Sequence, residues 1–128
     1  MELGKAYMRL GESENCCALY SPESCTLPIR GKAIHTKRRG SEGAIIHFTE
    51  AMRLAQDDEQ LFAAQWLLNL ACMTLGNYEE NTPDGVRLPP SFFSSEVAFP
   101  RFENIAEKLG VATDSLAGGV VADDLDGD

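Results

Sequence analysis

The stretch LGKAYMRLG at residues 3–11 largely returns as LNLACMTLG at residues 68–76. The two copies share Leu, Ala, Met, Leu and Gly at a constant offset of 65 positions. An internal repeat changes the interpretation of the whole chain, because each copy is then one unit of a stacked architecture. The copies are also rich in good helix formers, so the repeat predicts two equivalent helices.

Two parts of one signature occur in order along the chain. The first copy contains L-G-x-x-Y, and A-x-x-x-F follows between the copies, from Ala44 to Phe48. These are the first-helix and second-helix patterns of a tetratricopeptide repeat. We therefore predict a mainly α fold of tetratricopeptide-like antiparallel helices; an ordinary helical hairpin is the alternative. Small residues would let the helices approach and larger ones would fill the space between them. The small set is Gly4, Ala6, Ala44 and Ala51, and the large set is Tyr7, Leu10, Phe48 and Leu54.

Capping residues set the expected helix ends. The predicted helices span residues 2–11, 42–55 and 59–75, with Gly11 and Gly76 as stops and Ser41 as an N-cap. A tetratricopeptide repeat turns within a few residues, whereas Ala44 lies 33 positions after Gly11. Residues from 12 to about 40 are thus an insertion, and long ordered insertions are commonly functional. The helical module covers residues 1–76 and an irregular connector covers 77–100.

Three of the four cysteines lie in this insertion: Cys16, Cys17 and Cys25. Either vicinal cysteine could form a disulfide with Cys25 and stiffen the loop, given an oxidising compartment. Reduced thiols, or a metal site that includes His35, are the alternatives. Cys72 takes the place of Tyr7 in the second copy, which predicts a small buried residue.

The charge excludes one class of partner. The net charge is −9 and the isoelectric point is near 4.6, which argues against general nucleic-acid binding. No apolar run approaches the ~20 residues of a membrane span. The basic residues of the insertion are a candidate contact for an anionic partner or a glycan. They are Lys32, Lys37, Arg38 and Arg39.

The C-terminal part combines a glycine-entered strand pattern with alternating carboxylates. Residues 116–123 read as a strand, and Asp124, Asp126 and Asp128 follow at alternate positions around Gly127. Carboxylates spaced in this way can converge on one cation, and oxygen ligands suit Ca²⁺. The pattern predicts the start of a calcium loop whose further ligands would follow Asp128.

Several motifs together resemble bacterial FG-GAP proteins of the ASPIC/UnbV type, which are similar to the vertebrate cartilage acidic protein. The resemblance lies in N-C at residues 15–16, ESCTLPI at 23–29, WLLN at 66–69, MTLG at 73–76 and the stretch from Gly118 to Asp128. It implies that residues 101–128 begin a β-propeller of FG-GAP repeats and that its first calcium loop contains Asp124, Asp126 and Asp128. It also implies an exported protein: periplasmic, cell-surface or secreted.

Two functions are expected from these patterns. The first is a non-catalytic interaction or scaffolding module that binds a protein partner through a concave helical surface. The second is an enzyme or biosynthetic accessory protein with redox or metal chemistry at the cysteine loop. Neither His35 nor His47 has a catalytic partner at a recognisable spacing, and there is no phosphate-binding glycine loop, so the first is favoured.

Overall fold

The computed structural model describes residues 1–19, 21, 23–24, 26–76, 78–98, 103 and 105–112. This part of the chain is mainly helical and contains no strand. The α-helices are α1 (Glu2–Glu12), α2 (Arg39–Arg53), α3 (Asp58–Thr74) and α4 (Tyr78–Asn81). One π-helical turn, Ser13–Cys17, extends α1, and short 3-10 turns lie at Gly31–Ala33 and Pro90–Phe93.

Helices α1 and α2 are antiparallel and cross closely at glycines. A Cβ atom on Gly4 would overlap the ring of Phe48, because it would lie 2.6 Å from the Cε1 atom of that ring. At the other end of the pair, a Cβ on Gly40 would lie 2.6 Å from the Cα of Gly11. The start of α1 therefore contacts the later part of α2, and the end of α1 contacts the start of α2, as in an antiparallel pair. The prediction that small residues permit a close approach is confirmed for Gly4 and for Ala44, which is fully buried.

Helix α3 runs antiparallel to α2 and has a cap at each end. The Asp57 carboxylate accepts a hydrogen bond from the Gln60 amide at 2.8 Å and begins the helix. Gly76 has a φ of +70°, and its amide donates to the Met73 carbonyl at 3.1 Å. The prediction that Gly76 ends this helix is confirmed, because glycine adopts this left-handed conformation without strain.

Three of the sequence-based details are wrong. Gly11 does not end α1; the helix continues to Glu12 and into the π-helical turn. Ser41 does not cap α2, because α2 begins at Arg39 and the Ser41 side chain is buried in a polar cluster. Ala6 and Leu54 do not pack between helices, since both side chains are exposed.

The core lies between α2 and α3. Five fully or almost fully buried residues form it: Ala44, Phe48, Leu68, Ala71 and Cys72. The prediction that Cys72 is buried is confirmed, and burial raises the pKa of its thiol.

The segment after α3 packs on a second side of that helix. The Asn69 amide donates to the Val86 carbonyl at 3.0 Å, and its Oδ1 accepts from the Leu88 amide at 3.1 Å. The Tyr78 hydroxyl donates to the same Asn69 oxygen. This explains why α3 has so few polar positions: neighbours cover it on more than one side.

The chain divides into two compact units, Met1–Ser94 and Ser95–Asp128. In the second unit residues 106–110 form a turn, and the Val111 amide donates to the Ala106 carbonyl at 3.0 Å. The predicted strand at 116–123, the calcium-loop residues Asp124, Asp126 and Asp128, and Cys25 lie outside the described residues.

Candidate functional site

A cavity of about 450 Å³ lies between α1, α3 and the insertion. Its lining surface is mostly apolar. The residues that line it are Lys5, Met8, Arg9, Glu12, Cys16, Leu27, Ile29, Ala33, His35, Leu67, Leu70 and Thr74. Two walls of the cavity are therefore α1 and α3, the helices that contain the two copies of the sequence repeat. The insertion forms the third wall.

Helical periodicity explains which side chains line the cavity. On α1 they recur at intervals of three or four residues, as Lys5, Met8, Arg9 and Glu12 do. Residues three and four apart share one face of a helix, so these four side chains form one stripe. Cys16 continues the stripe on the π-helical turn.

Asn15 anchors the returning end of the insertion. The side chain is buried, and its amide nitrogen donates to the Gly11 carbonyl at 2.8 Å and to the Lys37 carbonyl at 3.1 Å. Its Oδ1 accepts from the Lys37 amide at 2.9 Å. One side chain thus joins the end of α1 to the residues just before α2, which fixes both ends of a long loop.

A chain of polar side chains forms the inner end of the cavity. The Cys16 Sγ lies 3.4 Å from Nε2 of His35, and the His35 Nδ1 lies 2.9 Å from the Ser41 hydroxyl. The Ser41 and Thr74 hydroxyls are hydrogen-bonded at 2.7 Å. The His35 backbone amide also donates to the Thr74 carbonyl at 2.8 Å. Residues from the insertion, α2 and α3 therefore meet at this point.

The hydroxyls of Thr74 and Ser41 connect His35 to α3. The Thr74 hydroxyl donates to the Ser41 hydroxyl at 2.7 Å and also lies 2.7 Å from the Ala71 carbonyl oxygen. The Ser41 hydroxyl in turn contacts Nδ1 of His35, so the imidazole has a polar partner at each ring nitrogen.

Burial favours the neutral form of His35. Its side chain is 7% exposed, and loss of solvation lowers the pKa of the imidazole, while the Glu12 carboxylate raises it by a smaller amount. A Cβ on Gly11 would lie 3.3 Å from the ring, so a glycine at this position leaves room for the imidazole.

The buried imidazole predicts a pH-dependent stability. Because the pKa of His35 is lower folded than unfolded, the unfolded chain binds more protons below its usual value of 6.5. The free energy of unfolding should therefore fall as the pH drops through ~6.5 towards the folded pKa, and be unaffected by this group above it. Melting temperatures between about pH 8 and pH 5 test this.

The His35→Gln variant should lose less stability than the wild type over that pH range, because glutamine does not titrate. His47→Gln removes the other imidazole of the chain and is the matched control. His47 lies against the Tyr7 ring, with the ring centroids 5.3 Å apart. An equal loss of stability in the wild type and in His35→Gln would contradict the role given to His35.

Charged groups lie at the rim of the cavity. The Lys5 ammonium pairs with Glu2 at 2.8 Å, and the Arg9 guanidinium pairs with Glu12 at 2.5 Å. The Lys5 side chain is 51% exposed and that of Arg9 is 80% exposed. Such exposed pairs contribute little stability, but they leave the rim with balanced charge.

The structure places some of the predicted site residues. Cys16 lines the cavity, whereas Cys17 on the same turn is exposed. A disulfide from either residue to Cys25 stays a prediction, because Cys25 lies outside the described residues. Within the described part of the chain, no three His, Cys, Asp or Glu side chains lie close enough together to hold a metal ion. None of the described helices is long and apolar enough to cross a membrane.

Sequence reasoning grouped His35 with the cysteines only as an alternative metal site, and it missed the contact of the ring with Ser41 and the hydrogen bond from Thr74 to Ser41. The separations of these residues along the chain match no motif. The antiparallel arrangement of α2 and α3 could have indicated these contacts, because it brings the first turn of α2 beside the last turn of α3. Ser41 and Thr74 are the small hydroxyl residues of those two turns.

The comparisons with known proteins add no relative to this description. The chain has no significant match among protein-family models, curated proteins or solved structures.

Proposed function

We propose that this chain is a non-catalytic interaction module in which tetratricopeptide-like helices and their insertion hold an apolar group of a partner in the cavity. The observation that carries this is the cavity of about 450 Å³, lined by α1, α3 and the insertion. Pockets of this size with apolar walls and few polar groups are typical binding sites.

The tetratricopeptide-like arrangement is supported by the helix order and by the crossings. The A-x-x-x-F segment lies on α2 between the two repeat copies, and Gly4 of the first copy meets Phe48 of that segment. Helical repeats bind partners on a concave surface, without a reaction. The cavity lies between α1 and α3, the helices that contain the two copies of the repeat.

The wider setting proposed for the module is an exported, calcium-dependent FG-GAP protein located in the periplasm, at the cell surface or outside the cell. The motif resemblance supports this setting, including the carboxylates of Asp124, Asp126 and Asp128. A protein is the partner that we favour. The basic residues of the insertion support a glycan less well, since Arg38 is paired with Glu42 and Arg39 with Glu14.

The proposal requires that the cavity admit an apolar group, and Nile red is a neutral probe whose fluorescence rises in apolar sites. We expect saturable binding to the wild type. Ile29→Trp should weaken it at least tenfold, because Ile29 lines the cavity and a larger ring would fill the space. Ile46→Trp is the matched control, as Ile46 is 66% exposed and does not line the cavity.

Absence of saturable binding, or equal weakening by the two substitutions, would overturn the proposal. Melting temperatures of both variants show whether Ile29→Trp has kept the fold, and Leu70→Phe narrows the same cavity from α3 if it has not.

A second function, chemistry at the Cys16 sulfur, is favoured by one observation. The Nε2 atom of His35 lies 3.4 Å from Sγ, within reach of a thiol proton. In alkylation by iodoacetamide an S–C bond would form, a C–I bond would break, iodide would leave and the thiol proton would pass to Nε2. A neighbouring base makes a thiol more nucleophilic by promoting the thiolate form.

Alkylation rates distinguish the two functions, with the protein prepared both with and without reductant. If Cys16 is a reactive site, it should be alkylated faster than the more exposed Cys17 in the reduced protein, and His35→Gln should slow Cys16 alone. If the module only binds, Cys17 should react first and His35→Gln should leave that order unchanged. Peptide mapping by mass spectrometry assigns the modified residue.

A further inference from the structure

We propose that the Cys16 thiol is a modification site that controls the cavity. In a mixed disulfide between Cys16 and a small-molecule disulfide, the attached group occupies the cavity and excludes the apolar group of the protein partner. This inference rests on the proposed binding function and adds the regulation of that site. It follows from the position of the sulfur, from the imidazole beside it and from the space that an attached group can enter.

The Cys16 side chain lies in the wall of the binding cavity. Cys16 continues the cavity-lining stripe of α1 on the π-helical turn, and it is half-buried. Nε2 of His35 lies 3.4 Å from the Cys16 Sγ, and His35 lines the same cavity. A reagent that enters the cavity therefore meets the thiol and the ring together.

The imidazole of His35 can take the proton of the thiol. Loss of solvation lowers the pKa of the ring, so the ring is neutral at neutral pH and can accept a proton, while the Glu12 carboxylate favours the charged form that results. The Ser41 hydroxyl lies 2.9 Å from Nδ1 and can accept from Nδ1–H of the charged ring. A nucleophile, a base and a third group that orients the base are the parts of an activated thiol site.

Cys17, the next residue along the chain, is an internal reference for this site. Its side chain is exposed and lines neither of the two cavities that border Cys16. If exposure alone determined reactivity, Cys17 would react before Cys16. The contact with His35 predicts the opposite order. The predicted disulfide to Cys25 can use Cys17 and leave the Cys16 thiol for this reaction.

The reaction is a thiol–disulfide exchange. The Cys16 thiolate attacks one sulfur of the disulfide, so that an S–S bond to Cys16 forms and the S–S bond of the reagent breaks. The other half of the reagent leaves as a thiolate and takes the proton that Nε2 received from Cys16. Cys16 is thereby oxidised and the reagent is reduced. An excess of a thiol such as dithiothreitol reverses the exchange.

Of the two cavities that Cys16 borders in the described part of the chain, the larger is the one that can hold an attached ring. The smaller has a volume of about 40 Å³, which is room for a few water molecules. The larger has a volume of about 450 Å³, and its mostly apolar walls favour an apolar ring over solvent. The ring then takes the space that the apolar group of the partner needs.

The first experiment identifies the modified residue. Reduced protein is treated with 4,4′-dithiodipyridine, and peptide mapping by mass spectrometry follows the thiopyridyl adduct at each cysteine with time. Cys16 should react at least about tenfold faster than Cys17, and His35→Gln should slow Cys16 alone. If the ring only packed against the sulfur, its removal would expose Cys16 and raise its rate, so a lower rate indicates activation.

The second experiment measures the Nile red affinity of the same samples. The thiopyridyl group on Cys16 should weaken binding at least about tenfold, and dithiothreitol should restore it. The smaller methylthio group, attached with methyl methanethiosulfonate, should weaken binding less. Cys17→Ser is the matched control and should respond to treatment as the wild type does. The affinity of Cys16→Ser should be the same before and after treatment.

The outcomes separate the two proposals. A lack of Nile red binding to the untreated protein would overturn the binding function and, with it, the control proposed here. Normal binding that persists when Cys16 carries the thiopyridyl group would overturn this inference alone. Faster modification of Cys17, a Cys16 rate that rises in His35→Gln, or equal weakening by the methylthio and thiopyridyl groups would also overturn it.

Discussion

Replacing Phe48 by alanine should destabilise the protein by about 4 kcal/mol. The Phe48 side chain is fully buried, and it packs in the core with Ala44 and Leu68 while its ring lies directly over Gly4. Truncation removes the apolar contacts and leaves a cavity that Gly4, with no side chain, cannot fill. Urea denaturation followed by circular dichroism measures the loss.

Phe62→Ala is the matched control for this substitution. Phe62 lies on α3 but is 62% exposed, so its truncation should change the free energy of unfolding by no more than about 0.5 kcal/mol. Similar losses of unfolding free energy in Phe48→Ala and Phe62→Ala would show that Phe48 does not lie in the core.

Gly40→Ala should cost about 3 kcal/mol, although alanine is a better helix former than glycine. A Cβ at this position would overlap the backbone nitrogen of Gly11 and lie 2.9 Å from the Tyr7 carbonyl oxygen. Backbone atoms cannot rotate away as a side chain can. The two helices would have to separate, which would also disturb the bonds that Asn15 and Ser41 make nearby.

Gly43→Ala, one turn further along α2, tests the same substitution against a movable neighbour. The three atoms nearest to its Cβ would all belong to the ring of Tyr7, which is a half-buried side chain. We expect a change within about 1 kcal/mol, because the gain in helix propensity offsets the displacement of the ring. If Gly40→Ala is as stable as Gly43→Ala, the helices do not cross at Gly11.

The sequence predicted the helices well where periodicity and caps agreed. The repeat placed α1 and α3, and the A-x-x-x-F segment placed α2 between them. The prediction that Gly76 ends α3 was correct, because a glycine after the last apolar residue ends a helix through its left-handed conformation. These signals are local, so a sequence contains them directly.

The errors occurred where tertiary contacts decide the role of a residue. Gly11 resembles a helix stop, yet it serves the crossing with Gly40 and leaves room for the ring of His35. Ser41 resembles an N-cap, yet its hydroxyl bonds to His35 and Thr74. Local propensity cannot distinguish a cap from a buried contact, since both favour the same small residues.

The candidate site was only partly predictable. An insertion within the helical module was expected to be functional, and it does form one wall of the cavity. His35 was named beside the cysteines only as part of an alternative metal site, and a direct contact of its ring with the Cys16 sulfur, 19 positions away, was not predicted. Such a separation has no motif and depends on how Asn15 folds the insertion back.

The residues that maintain the fold and the residues of the insertion that shape the cavity lie in different parts of the chain. The core around Phe48 and the crossing at Gly40 maintain the fold, whereas Leu27, Ile29 and Ala33 shape the cavity from a segment outside that core. Substitutions in the segment could therefore change which ligand is admitted at little cost in stability. A scaffold of this kind could diversify its specificity through one loop while its helices stay the same.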